Sequence, residues 1–263
     1  MELKGAKTLI TGATGGIGRY LVEAFAREGC ELVVSSRSED QLKDLAARYA
    51  ARAIVADLAQ PGEAERLVEE AGEVEILVAN AALPASGAIE SFTVEELDRA
   101  LAVNLRAPIV MARLLVERLV DRGSGHLLFI GSLAGRAATP FSSLYNATKF
   151  GLRGFALALR AELGPRGVGV SVVEPGFVRE AGMFAKSGAK LPPFIGTVPP
   201  TAVARAAVEA VRRNQGEVTV APPLLRMGSA FAGVLPGVAE RVVTLTGGTA
   251  VARSVASGQQ TMR

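Results

Sequence analysis

Tyr145 and Lys149 sit four positions apart in the stretch "LYNATKFGLRGFALALRAELG", which has a long helical pattern. On a helix that spacing places both side chains on one face, within reach of each other. A free phenol has a pKa of about 10, too high for proton transfer at neutral pH. A neighbouring ammonium favours the phenolate and lowers that value. The pair therefore suits a general acid/base step at an oxygen on carbon. Ser132 stands thirteen residues before Tyr145, at the end of the apolar run "HLLFIGS", where a hydroxyl can bond and polarise a carbonyl.

A second constellation lies near the N-terminus. "TGATGGIG" (Thr11–Gly18) follows an apolar run directly and opens a helical pattern. Glycines there allow a sharp turn and close backbone approach to a ligand. The helix start offers unpaired N–H groups and partial positive charge, which suits a pyrophosphate. Gly12, Gly16 and Gly18 are the turn glycines, and their position between a first strand and a first helix carries more weight than their spacing.

The elements that must position these residues alternate regularly. Short apolar runs, "AKTLITG", "ELVVSS", "RAIVADL", "EILVANAA", "GHLLFIGS", "GVGVSVVEPG" and "GEVTVAPP", are separated by amphipathic segments. Continuous apolar strands alternating with helices predict a parallel sheet covered on both faces. Helices are expected over about 16–28, from a Ser38 cap to residue 50, from Pro61 to 72, as one long helix over 94–122, over 143–164 and over 201–214. The segment Arg179–Pro200, "REAGMFAKSGAKLPPFIGTVPP", has little periodicity and much Gly and Pro, the profile of a lid or binding loop. The tail beyond Pro223 reads as partly helical.

Composition narrows the function classes. The chain has 263 residues, 49% of them hydrophobic, and a formal net charge of +3. Its basic residues are scattered, which argues against nucleic-acid binding. One cysteine, Cys30, excludes an internal disulfide, and with His126 as the sole histidine a protein-built metal site is not expected. Both residues read as structural. A Ser-His-Asp hydrolase would need His126 beside a nucleophilic serine, and nothing local supports it. With no signal-peptide core and no long apolar span, a cytoplasmic protein is expected.

Five separated signals occur in order: "TGATGGIG", "ADL" at Ala56–Leu58, "NAA" at Asn80–Ala82, "GS" before "YNATK", and "EPG" at Glu174–Gly176. In this combination the chain resembles the short-chain dehydrogenases/reductases over about Ala6–Val220. The resemblance implies a single-domain Rossmann fold, α/β, with a doubly wound seven-stranded parallel sheet. It also implies a dinucleotide cofactor and interconversion of a ketone or aldehyde with an alcohol by hydride transfer. Tyr145 is then the acid/base, with Lys149 beside it holding the nicotinamide ribose. Ser132 is the carbonyl-binding group, and Asn104 holds a water that links Lys149 to solvent. Cofactor contacts fall on Gly12, Thr14, Gly16, Ile17 and Gly18, on Asp57 and Leu58 at the adenine, on Asn80 and Ala81, and on Pro175, Gly176 and Val178. Ala82 stands where the family usually has Gly, and Glu180 where it often has a threonine for the carboxamide.

In such folds an acid at the end of the second strand bonds the adenosine ribose and repels a 2′-phosphate. Here "VVSSRSED" places Ser36 and Arg37 at that point, and a guanidinium pairs well with phosphate. NADP(H) is therefore expected over NAD(H). Apolar lid residues Met183, Phe184, Leu191, Phe194 and Ile195 suggest a bulky hydrophobic substrate. Lys186 and Lys190 keep 3-oxoacyl-thioester reduction as an alternative, and a non-catalytic dinucleotide sensor is the rival of another class. Residues 1–223 are expected to form the catalytic domain, with a lid at about 179–200. The extension 224–263 has three readings in order of preference: substrate cover, subunit contact and peripheral membrane contact. The helices over 94–122 and 143–164 are the surfaces that pair in family homodimers and homotetramers.

Overall fold

A computed structural model of the chain describes residues 1–192, 195–245 and 247–262. The seven apolar runs form seven strands: β1 (Lys7–Thr11), β2 (Glu31–Ser36), β3 (Arg52–Val55), β4 (Ile76–Ala79), β5 (Gly125–Ile130), β6 (Val168–Pro175) and β7 (Glu217–Val220). They make one sheet in the order β3-β2-β1-β4-β5-β6-β7, and all neighbouring pairs are parallel. The order reverses between β1 and β4, so a crevice opens at the C-terminal ends of these two strands.

The helices are α1 (Gly16–Arg27), α2 (Glu39–Tyr49), α3 (Glu63–Ala71), α4 (Val94–Leu101), α5 (Ala107–Arg122), α6 (Ser143–Leu163), α7 (Gly182–Ser187), α8 (Pro200–Arg212), α9 (Pro223–Val234), α10 (Pro236–Leu245) and α11 (Gly248–Gln259). Successive strand residues feed two cores. Leu9, Val33, Leu77 and Leu127 pack with Leu67 of α3, Leu115 of α5 and Leu152 of α6. Ile10, Val34, Val78 and Leu128 pack with Phe25 of α1, Leu42 of α2 and Val211 of α8. Each fully buried side chain of this size contributes about 1.5–3 kcal/mol. Burial on both faces is why these strands read as unbroken apolar runs rather than as alternation.

Several local expectations are corrected. The helix expected over 94–122 is interrupted at Ala102–Arg106 by a π-helical turn, a wider register that suits functional positions. Its start is a reciprocal capping box: the Thr93 side chain accepts from Glu96 N–H, and the Glu96 side chain accepts from Thr93 N–H. Ser38 stands at the N-cap of α2 but makes no side-chain cap bond. Acids Glu39 and Asp40 in the first turn complement the helix dipole instead. Pro61 lies outside α3, which starts at Glu63 after Gly62 in a left-handed conformation. The segment 179–200 contains the short helix α7, and the described tail residues form α9, α10 and α11. Among the described residues no helix is long and apolar enough to cross a membrane.

Candidate active site

The crevice is built on the glycine turn. Gly12 has φ of +62°, and a Cβ there would lie 2.8 Å from Ala81 Cα, so β1 and β4 can approach only with glycine at this point. A Cβ on Gly18 would collide with the Gly12 carbonyl. Asn80 fastens the same turn: its Nδ2 donates to Thr11 O at 3.0 Å and Gly12 O at 3.1 Å. Thr11 Oγ1 accepts from Asn80 N–H and Ala81 N–H. The N-cap of α1 is Gly15, which brings no side-chain acceptor. The first N–H groups of the helix thus face the crevice without a side-chain cap.

At the end of β2, Ser36 is buried and Arg37 is exposed. Asp57 Oδ1 accepts from Ala59 N–H at 3.2 Å and shapes the turn after β3. A cation that sequence reasoning missed, Arg19, stands one helical turn into α1. Its Nε donates to Thr14 O and its Nη2 to Gln41 Oε1.

The opposite end of the crevice holds the reactive groups. Ser132 follows β5 and its Oγ accepts from Ala134 N–H at 3.1 Å. Lys149 is buried, and its Nζ donates to Ile130 O at 3.0 Å and lies 5.7 Å from the Tyr145 ring centre. Burial brings the Lys149 ammonium down to about 8. The depression of Tyr145 expected from Lys149 is not what the protein groups produce. Dehydration of the phenolate pushes Tyr145 up, and the Ser132 hydroxyl only partly offsets it. The site thus holds a neutral phenol beside a weakly held ammonium proton.

One cleft of about 960 Å³ joins the two ends. Every predicted site residue lines it except Asn104. Asn104 is buried in the π-helical turn. Its Oδ1 accepts from Leu83 N–H at 2.7 Å, and its Nδ2 donates to Leu83 O at 3.0 Å. It holds Leu83, a cleft residue, and its side chain does not reach Lys149 through any hydrogen bond among the described residues.

A family model described as short chain dehydrogenase matches residues 6–192. The chain belongs to the short chain dehydrogenase family. It is an oxidoreductase acting on CH–OH and C=O groups of small molecules, on a fold that binds NAD(P). It is 35% identical over 227 residues to the ketoacyl reductase HetN of Nostoc sp., covering 83% of this chain and 79% of that one. A short-chain dehydrogenase from Sphingobium yanoikuyae in complex with NADPH superimposes with TM-score 0.75 at 30% identity, over 89% of this chain and 94% of that one. The bulky-bulky ketone specific alcohol dehydrogenase from Comamonas testosteroni gives TM-score 0.75 at 28% identity, over 89% and 93% of the two chains.

In this dehydrogenase the two ends of the segment 179–200 are drawn together by pairing of Val178 with Val198. A Cβ on Gly16 would collide with Gly182, so the start of α7 rests on the glycine turn. Glu180 is in a left-handed conformation and pairs with Arg179 at 3.0 Å. Phe194 lies outside the described residues. The tail reaches the cleft: Leu224, Leu225, Phe231, Ala239, Val255 and Gln259 line it. A Cβ on Gly258 of α11 would collide with Ser187 O of α7, so α11 and α7 meet backbone to backbone.

Two supports of the Ser132 turn escaped sequence reasoning. Asn146 Nδ2 donates to Ala134 O at 2.7 Å and Ala137 O at 3.0 Å, and its Oδ1 accepts from Thr139 N–H at 3.2 Å. The only signal was a poor helix former inside a helix, next to Tyr145. Below the turn, Glu174, Arg136, Arg153 and Glu217 form a charged cluster.

His126 and Cys30 lie outside this site. His126 is the second residue of β5, at the end of the strand away from Ser132, and shares a 2.8 Å hydrogen bond with Ser171. Burial brings it down to about 3. Cys30 Sγ donates to Leu3 O, and burial pushes its thiol up.

Proposed function

We propose that this dehydrogenase uses NADP(H) to interconvert a bulky hydrophobic ketone and its alcohol. The observation that carries the reading is the continuity of one cleft from Ser36 and Arg37 to Ser132, Tyr145 and Lys149. When bound, the dinucleotide supplies or accepts hydride at the carbonyl carbon. The residues of the chain do the rest. The glycine turn Gly12–Gly18 and the start of α1 hold the pyrophosphate. Arg37 pairs with the 2′-phosphate, while Asp57 and Leu58 meet the adenine. Ser132 bonds the substrate oxygen and polarises it. Tyr145 gives its proton to that oxygen during reduction and takes it back during oxidation. Lys149 holds the nicotinamide ribose and replenishes the phenol proton. Asn104 keeps Leu83 against the cleft. The "EPG" turn at Pro175 and Gly176 covers one side of the nicotinamide, with Val178 beyond it.

The substrate end is walled by Phe177, Met183, Phe184, Ile195, Leu224, Leu225 and Phe231, which supports a large apolar substrate. The name of the Comamonas enzyme supports the same class. We assign residues 179–200 as the lid and 224–263 as the substrate cover. Partly exposed Leu101, Leu114 and Phe150 on α4, α5 and α6 support self-association through these helices.

A second reading, 3-oxoacyl-thioester reduction, is favoured by the likeness to a ketoacyl reductase and by Lys186 on the cleft. The three tail helices over the opening weigh against a carrier-bound substrate.

The deciding experiment is titration with NADPH and NADH followed by nicotinamide fluorescence, with wild type and Arg37→Asp. Tighter NADPH binding that Arg37→Asp weakens by about tenfold or more supports the phosphate site. Equal affinity for both would remove NADP(H) from the reading. A panel of bulky ketones against an acetoacetyl thioester, with Tyr145→Phe as control, separates the two substrate classes.

A further inference from the structure

The largest group of exposed apolar side chains lies on the tail, at the opening of the cleft. On α9 the residues Leu224, Met227, Phe231 and Val234 follow steps of three, four and three, which is one helical stripe. Met227 is 73% exposed and Val234 78% exposed. Leu235, Val238 and Leu245 continue the exposed apolar surface into α10. The other side of α9 is occupied, since Leu225, Gly228 and Ala232 line the cleft and Ser229 is buried. A helix apolar on both sides, with one side inward and one side bare, has an unmet partner.

Charge selects the partner. The described tail carries exposed Arg226, Arg241 and Arg253 against a single acid, Glu240. Neither Arg226 nor Arg241 makes a salt bridge among the described residues, and Arg253 lies over the Phe141 ring at 5.1 Å. A self-complementary protein contact would set these like charges together across its axis unless acids met them, and the tail offers one. An anionic surface neutralises them.

We propose that α9 and α10 dock this dehydrogenase on an anionic lipid bilayer. The stripe Leu224–Met227–Phe231–Val234 inserts among the acyl chains near the headgroups, and the arginines meet lipid phosphates. Because Leu224 and Phe231 belong both to the stripe and to the cleft wall, the opening faces the membrane. A lipophilic substrate passes from bilayer to site without crossing water. The proposal extends the hydrophobic-substrate reading, but its test does not need turnover.

The full chain is sedimented with vesicles of phosphatidylcholine alone and of phosphatidylcholine mixed with phosphatidylglycerol, at low and high salt. Mass is measured in parallel by light scattering. Binding to the anionic vesicles is expected to exceed binding to neutral ones by about tenfold or more and to weaken with salt. The double variant Met227→Glu, Val234→Glu should lose vesicle binding while keeping the wild-type melting temperature and NADPH affinity, because neither residue lines the cleft. Failure of the wild-type chain to bind either vesicle overturns the proposal. So does equal, salt-independent binding to both. A wild-type dimer that the double variant converts to monomer, with no vesicle binding, overturns it in favour of a second copy on this face.

Discussion

Arg136 Nε stands 3.3 Å from the carboxylate of Glu174, a side chain with no exposure to solvent. Arg136 closes the turn that begins at Ser132, and Glu174 belongs to the "EPG" segment of β6, so the pair links the two sides of the cleft floor. Arg136 also donates to Thr219 and Glu217 of β7, and Arg153 of α6 reaches both acids. Among the described residues neither Glu174 oxygen has a hydrogen-bond partner of normal geometry, although the Glu217 carboxyl lies close enough to interact with it. Burial pushes Glu174 up to about 8, and the Glu217 charge adds to the rise against both arginines. Glu217 moves down: burial opposes this, but the bond from Arg153 and the two guanidinium charges outweigh it. The cluster therefore holds a proton on Glu174.

Stability follows from that proton. Between the ordinary value of 4.5 and about 8, folded Glu174 keeps a proton that the unfolded chain releases. Stability from this group is thus lost as pH rises through that window. Glu217 acts in the opposite sense, below its ordinary range. Glu174→Gln imitates the protonated form and removes the coupling. Wild type should lose melting temperature from about pH 5 to about pH 8 relative to Glu174→Gln, with the curves meeting at the acid end. Parallel melting curves for the two proteins across that range would refute the assignment.

Asn104 holds the backbone of Leu83 through both ends of its amide. Removing its amide leaves Leu83 N–H and C=O without their partners at 2.7 and 3.0 Å. Each buried group left unpaired costs about 1–3 kcal/mol. Asn104→Ala is expected to unfold at lower denaturant by an amount of this order and to bind NADPH more weakly, because Leu83 lines the cleft. The pH profile of kcat should keep its wild-type shape. A shift of its basic limb, with stability unchanged, would instead support the proton relay that the family resemblance assigns to this residue.

The sheet could be read in the sequence because each strand is buried on both faces, which leaves a run of apolar residues that no helix period explains. That the glycine turn, Arg37 and the Tyr145–Lys149 pair share one cleft was legible for a similar reason: each depends on near neighbours in the chain. The π-helical turn at Ala102–Arg106 was not, since "AVNLR" has the composition of an ordinary helix and the wider register comes from tertiary packing. Asn146 hid beside a more conspicuous tyrosine. The Glu174 cluster draws its four members from β6, β7, α6 and the turn after β5, and no local pattern connects them. The tail read only as partly helical, because its helices present apolar residues both to the cleft and outward, which blurs the period.

The meeting of lid and tail offers a further test of the substrate end. Gly258 lies where a Cβ would strike Ser187 O and the backbone behind it. Backbone cannot swing aside as a side chain can, so Gly258→Ala must part α11 from α7 or displace the end of the lid. The cost falls on an outer contact rather than on the sheet cores, which contain none of these residues. The main unfolding transition should therefore move little. Gln259, whose Oε1 is buried without a partner among the described residues, is carried with the same helix, so the cleft wall opens at that end. On the proposed reading, KM for a bulky ketone should rise severalfold, while the NADPH dissociation constant, assigned there to the glycine turn and Arg37 at the far end of the cleft, stays at the wild-type value. Unchanged KM with a wild-type protease-cleavage pattern in the tail would mean that the close approach of Gly258 to Ser187 has no part in holding the substrate end closed.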